Sequence, residues 1–315
     1  MNRRNAIAAL FAAALAGAGA SAPASAENYP ARPIEIVVPF GPGGGADQMA
    51  RMLGKLLEAD LGTSLPVINV PGGTGAVGLS KVMASPADGY QLVVMTGEVV
   101  GLAAHPKPKW TTKDIIPLAI LMRQPSGLFV TEASRFKSWA DLAAEAKAKP
   151  GTIKVAHNGF GSPDDIVVNF LASKGIKLTT VPYAKPGERY SSLLGGHSDV
   201  LYEQAGDLRT FIEGKQMRPL IFFGDKGMPQ FPGIPASKDL GLDIQLDQIR
   251  MIGIRADTDP AKVKKLAEAL QRAAKSPEFT AYLDQQWSEA GFFMSGDTAV
   301  KFVQDQIDLM KRSAQ

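Results

Sequence analysis

Four glycines and one proline crowd into five positions, Gly41 to Gly45, between an apolar run and a helical pattern in IEIVVPFGPGGGADQMARML (34–53). A loop of this composition at a strand end presents bare backbone N–H groups at the start of a helix, and its chemistry is anion binding. Its neighbours narrow the anion. A P-loop needs a lysine after the glycines to meet phosphate charge, and Ala46-Asp47 stands there instead. The dinucleotide fingerprint G-x-G-x-x-[GA] is met formally by GPGGGA, but Asn69 and Val70 replace the ribose-binding acid expected at the end of the second strand. Asp47 would also repel a phosphate at the helix N-terminus. A carboxylate is the better guest, held by the amides of Gly43, Gly44, Gly45 and Ala46. The competing reading is a tight strand-to-helix turn that holds nothing.

Recurrence favours the functional reading. Gly72-Gly73-Thr74-Gly75, Thr96-Gly97 and Gly159-Phe160-Gly161-Ser162 are further glycine loops placed after predicted strands. A cleft lined from two sides by N–H-rich loops is a clamp for a small anion. Other chemistries find little support. His105, His157 and His197 are far apart and sit in no H-x-x-x-H or H-E-x-x-H frame, so no metal site is expected. Ser162 lies in FGSPDD rather than in a G-x-S-x-G elbow, which argues against a hydrolase. Tyr183 and Tyr202 end predicted strands and could face the ligand or fill the interface, whereas Trp110, Trp139 and Trp287 read as packing residues in a loop and two helices.

The elements that must position these loops alternate in period. IEIVVPF (34–40), PVINV (66–70) and YQLVVMT (90–96) read as strands; ADQMARMLGKLLEADLG (46–62) reads as a helix with Met49, Leu53, Leu56 and Leu57 on one face and Gly62 as its stop, and PGGTGAVGLSKVMAS (71–85) as a glycine turn entering a helix. That spacing predicts a parallel α/β unit, whose ligands sit at the carboxyl ends of the strands. IIPLAILMRQPSGLFV (115–130) reads as strands broken near Gln124 to Gly127. A second series follows, with a helix over 138–151, a strand over 153–157, the loop NGFGSPDD (158–165), a helix over 166–175, and strands over 178–183, 198–203 and 218–223. DIQLDQIRMIGIR (243–255) holds the return crossing, and Asp259-Pro260 caps an amphipathic helix. The expected architecture is therefore α/β in two lobes, with 27–126 and 249–315 in one and 127–248 in the other.

Residues 1–26 have the order of a secretory signal peptide: Arg3-Arg4, a short apolar run, and the small-residue site Ala24-Ser25-Ala26. Cleavage near Ala26 would release an exported chain, with Sec export favoured over the twin-arginine route. The chain has no cysteine, so stability rests on buried area rather than disulfides. Its 34 basic and 31 acidic residues are interspersed, which sets nucleic-acid binding aside. The lysines of KVKKLAEALQRAAK read as a solvated helix face.

In this order the motifs resemble the Bug family of periplasmic solute-binding proteins, the receptor component of tripartite tricarboxylate transporters. The opening YPARPIEIVVPFGPGGGADQMAR, then PGGTGAVGLSKVMASPADGYQLVVMT, NGFGSPDD, VPYAKPGERYSSLLGGHSDV and FPGIPASKDLGL carry the likeness across nearly the whole chain after the signal. The resemblance implies a Venus-flytrap fold with crossing hinge strands and one organic acid held by its carboxylate, often through water. It implies a monomer that serves membrane transporter subunits, without catalysis or cofactor. Carried onto this chain, the ligand-binding set is Phe40, Gly43, Gly44, Gly45 and Asp47 of the first loop and Thr96-Gly97 at the third strand end. Asn158, Gly159, Gly161, Ser162 and Asp165 of the opposing loop complete it, with Tyr183 and Glu203. Three departures bear on specificity. Asp164-Asp165 stand where a histidine is common, Glu203 stands where an aspartate is common, and VINVPGGTG lacks the usual arginine before the second glycine loop. Glu98 adds another acid. Either these acids cap helices and accept bonds from amides or waters, or the ligand carries a donor or cationic group. A sensor for a membrane kinase and an exported enzyme are the remaining alternatives.

Overall fold

The structure is a computed structural model and describes residues 29–313. The proposed signal peptide, residues 1–26, and its cleavage site lie outside the described residues. β1 (Glu35–Val38), α1 (Gly45–Leu61), β2 (Val67–Asn69), α2 (Ala76–Ala84) and β3 (Gln91–Thr96) form the predicted parallel unit. Met49, Leu53 and Leu57 are fully buried under α1, Leu56 lies half-buried at the edge of that stripe, and Gly62 ends the helix at φ 67° with its amide on the Glu58 carbonyl. Each such leucine contributes about 1.5–3 kcal/mol through burial, which fixes the helix to the sheet.

One expectation fails at the end of β3. Thr96-Gly97 is not a loop: α3 (Gly97–Ala104) follows the strand without an intervening residue. Its sequence, GEVVGLAA, holds two glycines and two valines, and local propensity disfavours a helix. Tertiary contacts override propensity here. The Gln248 side chain accepts the Gly97 amide at 2.8 Å, and the bare Cα of Gly101 lets the Gly161 carbonyl approach.

β4 (Ile115–Gln124) then passes through Pro125 into β5 (Ser126–Thr131), the strand break expected near Gln124. The second series comprises α4 (Trp139–Ala148), β6 (Lys154–His157), α5 (Pro163–Ser173), β7 (Thr179–Pro182), α6 (Pro186–Leu194), β8 (Val200–Gln204), a short α7 (Arg209–Glu213) and β9 (Met217–Phe223). β10 (Gln248–Arg255), α8 (Pro260–Ala274), α9 (Pro277–Gln285), β11 (Met294–Ser295) and α10 (Gly296–Ser313) complete the described chain. Asp259 caps α8 through the Ala261 amide at 2.8 Å, with Pro260 in the first turn, as the sequence predicts. Trp287 departs from its expected helix. It lies in the turn after α9 at φ 48°, with Phe231 of the other lobe edge-on at 5.1 Å and the Arg209 guanidinium over its ring.

Two sheets result, ordered β2-β1-β3-β10-β4-β11 and β7-β6-β8-β5-β9. Their local plans match. β1 pairs in parallel with β2 and β3, as β6 does with β7 and β8; β10 runs antiparallel beside β3, as β5 does beside β8. Each antiparallel strand follows a segment of the opposite lobe, so the chain crosses twice. β1, β3 and β10 are buried along nearly their whole lengths because helices cover both faces of the sheet; β1 and β3 are apolar past their first residue as far as Thr96, whereas β10 carries the buried Gln248 and Arg250. The matching plan sets the loop after β1 and the loop after β6 in equivalent positions, at the carboxyl ends of their strands.

Candidate functional site

The loop after β1 leaves its helix open. α1 begins at Gly45 behind Gly44, which has no side chain to cap it, and the first intrahelical bond runs from the Gln48 amide to the Gly44 carbonyl at 3.0 Å. The amides of Gly45 and Ala46 therefore have no intrahelical partner. Asp47 does not compete for them. Its carboxylate reaches back to the Gly43 amide at 3.0 Å and is held by Arg51 at 2.9 and 3.0 Å and by the Asn69 side chain at 2.9 Å. Burial pushes its pKa up, but the bonds from Arg51, Gly43 and Asn69 outweigh burial and hold it below the ordinary value. Asn69, which stands where a dinucleotide site would have an acid, also donates to the Phe40 carbonyl at 3.1 Å.

The loop after β6 is closed by its own side chains. Ser162 caps α5 by accepting the Asp165 amide at 3.3 Å and donates to the Gly159 carbonyl at 2.6 Å; Pro163 takes the first helical position. Asp165 accepts the Gly161 amide at 2.9 Å, and Asp164 accepts the Asn158 amide at 2.9 Å. These acids accept backbone amides, as one reading expected, but they do not cap: Ser162 caps α5, Asp164 and Asp165 hold amides of the preceding loop, and α1, where Asp47 was expected to cap, has no side-chain cap. Burial, reinforced by Glu98 across the cleft, raises the Asp164 carboxyl well above its ordinary value. His157 is also fully buried, its Nδ1 accepts the Gly159 amide at 3.3 Å, and burial lowers its pKa.

Between the lobes lies a cavity of about 40 Å³ open to water centres. Roughly 10–15 Å³ of such space holds one water, so the lobes stand almost shut. Phe40, Gly44, Gly45 and Ala46 line one side, with Thr96, Glu98, Gln248 and Arg250 from the same lobe. Opposite stand Asn158, Pro186, Arg189 and Tyr190, with Glu203, Gln204 and Asp207 around the end of β8. Arg189 bonds Glu203 at 2.8 Å, and its other nitrogen reaches Asn158 Oδ1 at 3.3 Å and the Tyr183 carbonyl at 3.2 Å. Arg250 of the first sheet pairs with Asp207 of the second lobe, each side chain 3% exposed. Burial alone would lower both guanidinium pKa values, but the facing acids raise them. Burial pushes Asp207 up to about 6 against the pull of Arg250, with Glu203 adding to the rise. Removing one member of such a pair would leave an uncompensated buried charge. Gln248 joins the end of β3 to the wall, accepting from Gly97 and donating to Glu98 Oε1 at 2.8 Å.

The glycines also set how closely the lobes approach. A Cβ on Gly44 would lie 2.5 Å from Pro186 Cγ, one on Gly45 2.0 Å from an Arg250 nitrogen and 2.3 Å from Asp207 Oδ1, and one on Gly97 2.9 Å from Pro163 Cγ. Closure presses bare backbone of one lobe against side chains of the other. Gly161 differs: at φ 75° a Cβ there would meet nothing within 4 Å.

Of the residues read from sequence, Phe40, Gly44, Gly45, Thr96, Asn158 and Glu203 line the cavity. Gly43, Asp47, Gly97, Gly159, Gly161, Ser162, Asp165 and Tyr183 are not among its lining residues and stand behind or beside the wall. Sequence reasoning missed Arg189, Asp207, Gln248 and Arg250. One signal was available for Arg250. In IRMIGI a lone arginine sits inside an apolar strand, where burial demands an acid from elsewhere.

Two α/β lobes, a chain that crosses twice between them, and a polar cavity at the carboxyl ends of both parallel units define a solute-binding receptor fold. Residues 49–315 match the model of the tripartite tricarboxylate transporter family receptor, and the chain belongs to that family. It is 33% identical to protein BugT of Bordetella pertussis over 232 residues, 72% of this chain and 71% of that one. Among solved structures, Rpa4515 of R. palustris with adipate has a TM-score of 0.84 at 23% identity, covering 91% of this chain and 97% of that one. MatC from Rhodopseudomonas palustris with bound malate has a TM-score of 0.82 at 22% identity, covering 91% and 100%. Both likenesses bear out the two-lobed fold that the resemblance implied. The family and fold are those of solute-binding receptors rather than enzymes.

Proposed function

We propose that this chain is exported, loses residues 1–26, and acts in the periplasm as a monomeric receptor that closes on a small organic carboxylate and delivers it to a tripartite transporter in the membrane. The observation that carries the reading is the open N-terminus of α1, whose Gly45 and Ala46 amides meet the cavity without an intrahelical partner. The dicarboxylates in the similar structures, malate in MatC and adipate in Rpa4515, support a carboxylate as the class of ligand.

The lobes, 27–126 with 249–315 and 127–248, move as two bodies about the crossing near Pro125 and the return before Gln248. Phe40, Gly44, Gly45, Thr96, Asn158 and Glu203 meet the ligand. Gly43, Asp47, Gly97, Gly159, Gly161, Ser162, Asp165 and Tyr183 hold the two loops and their neighbours in shape. A ligand bridging the lobes biases the closed form by its extra contacts there, so affinity and closure are linked.

Calorimetric titration of the mature protein with a panel of organic acids tests the reading. Saturable heat with at least one acid is expected, together with its recovery unchanged by mass spectrometry. Absence of heat and of thermal stabilisation at millimolar concentrations across the panel would refute it. N-terminal sequencing of the secreted protein checks cleavage near Ala26.

A further inference from the structure

The charges around the cavity do not suit a dianion. Arg189 and Arg250 face Glu98, Glu203 and Asp207, so the formal charge of the lining is −1 before any ligand enters. Neither guanidinium is free: Arg189 is bound to Glu203 and Arg250 to Asp207. A first carboxylate has the amides and positive helix end of α1 to receive it. A second would meet acids with no unpaired cation among the lining residues.

One unmet group points to what accompanies the carboxylate. Asp207 Oδ1 accepts no hydrogen bond among the described residues, although its side chain is 3% exposed. Buried carboxylate oxygens are ordinarily satisfied, and an empty acceptor in a cavity wall is a demand for a donor. That oxygen packs against Gly45, beside the amides that would take the ligand's carboxylate. Anion site and acceptor are therefore neighbours in the cavity wall, so a ligand that meets both carries its negative and positive groups close together. Glu203 stands on the same side of the cavity and adds negative field.

We infer that the ligand is an α-ammonium carboxylate, with its carboxylate on the Gly45 and Ala46 amides and its ammonium group on Asp207 Oδ1. This rests on the carboxylate-receptor reading and names the class within it. Arg250 and Arg189 then serve to hold Asp207 and Glu203 in place rather than to bind the anion.

The test is calorimetric titration of the mature protein at pH 7 with the common L-amino acids, their deaminated counterparts such as propionate for alanine, and malate and adipate. At least one amino acid is expected to bind tenfold or more tightly than its deaminated counterpart and than either dianion. Asp207→Asn should reduce that preference below about threefold, and Glu203→Gln should reduce it in the same direction. Circular dichroism and thermal melting of both variants establish that they fold, and the wild-type ranking stands as a test if either does not. Tighter binding of malate, adipate or a deaminated acid than of every amino acid would overturn the inference and leave the receptor reading intact. So would an undiminished preference in folded Asp207→Asn. Failure of every carboxylate to bind would overturn both.

Discussion

The loops after β1 and β6 occupy equivalent places in the two sheets and share one device. In each, an aspartate two residues inside the helix reaches back four positions to a glycine amide: Asp47 to Gly43 and Asp165 to Gly161. They differ at the cap. Ser162 closes the start of α5 and Asp164 takes the Asn158 amide, whereas Gly44 leaves α1 uncapped and Asp47 is turned to Arg51 and Asn69. Among the loop residues, three facing the cavity at the start of α1 are Gly44, Gly45 and Ala46, while the loop after β6 contributes Asn158. A glycine-rich strand-to-helix loop thus leaves helix amides without partners where its capping is left undone, the feature on which the proposed anion site rests, and is a structural turn where the chain completes it.

The contrast can be broken most forcefully at Gly44. Gly44→Val should weaken ligand binding at least about 100-fold, near 2.7 kcal/mol, because its Cβ meets Pro186 before the lobes close. Calorimetry beside a thermal melt checks this, and unchanged affinity in the folded variant would contradict the assignment of the first loop.

Next in size is a pH effect at Asp207, packed against Gly45. Its folded value of about 6 stands above the ordinary 3.8, so the folded state holds the proton more tightly. Its contribution to stability is full below pH 3.8 and is lost as pH climbs through about 6, with a slope of up to about 1.4 kcal/mol per pH unit. Urea unfolding of wild type and Asp207→Asn from pH 3.5 to 7 should give a difference curve that falls over this window. A flat difference would remove the Asp207 account.

Gly161→Val should cost about 1–2 kcal/mol of stability through its left-handed backbone while leaving affinity within about threefold, since a Cβ there meets nothing. A loss of binding as large as that of Gly44→Val would make the two loops alike. Smallest is Ser162→Ala, about 1 kcal/mol of stability from the lost cap, with binding unchanged. Denaturant titration reads both.

The parallel units and both loops were legible because their signals are local: apolar runs of strand length, glycines at the strand ends, and Gly62 and Asp259 as helix stop and start. Asp47 and Asp165 were legible as amide acceptors for the same reason. The walls of the cavity were not. Arg250 lies on β10 and Asp207 after β8, 43 positions apart, and they meet because the lobes close. Arg189 and Glu203 meet because α6 folds against β8. The helix after Thr96 was hidden because its glycines serve the contacts of Gly97 with Gln248 and Pro163 and of Gly101 with the Gly161 carbonyl, which outweigh their poor propensity.

Trp287 provides an optical gauge of this fold. Trp110 and Trp139 are buried away from the cavity lining, whereas Trp287 rests half-buried on the seam between Phe231 and the Arg209 guanidinium. Parting the lobes would strip those two neighbours from the indole and hydrate it. The emission of the unlabelled protein should then shift to the red on opening and to the blue on closure, so a Trp287→Phe variant supplies the blank against which the motion of the receptor can be followed in real time.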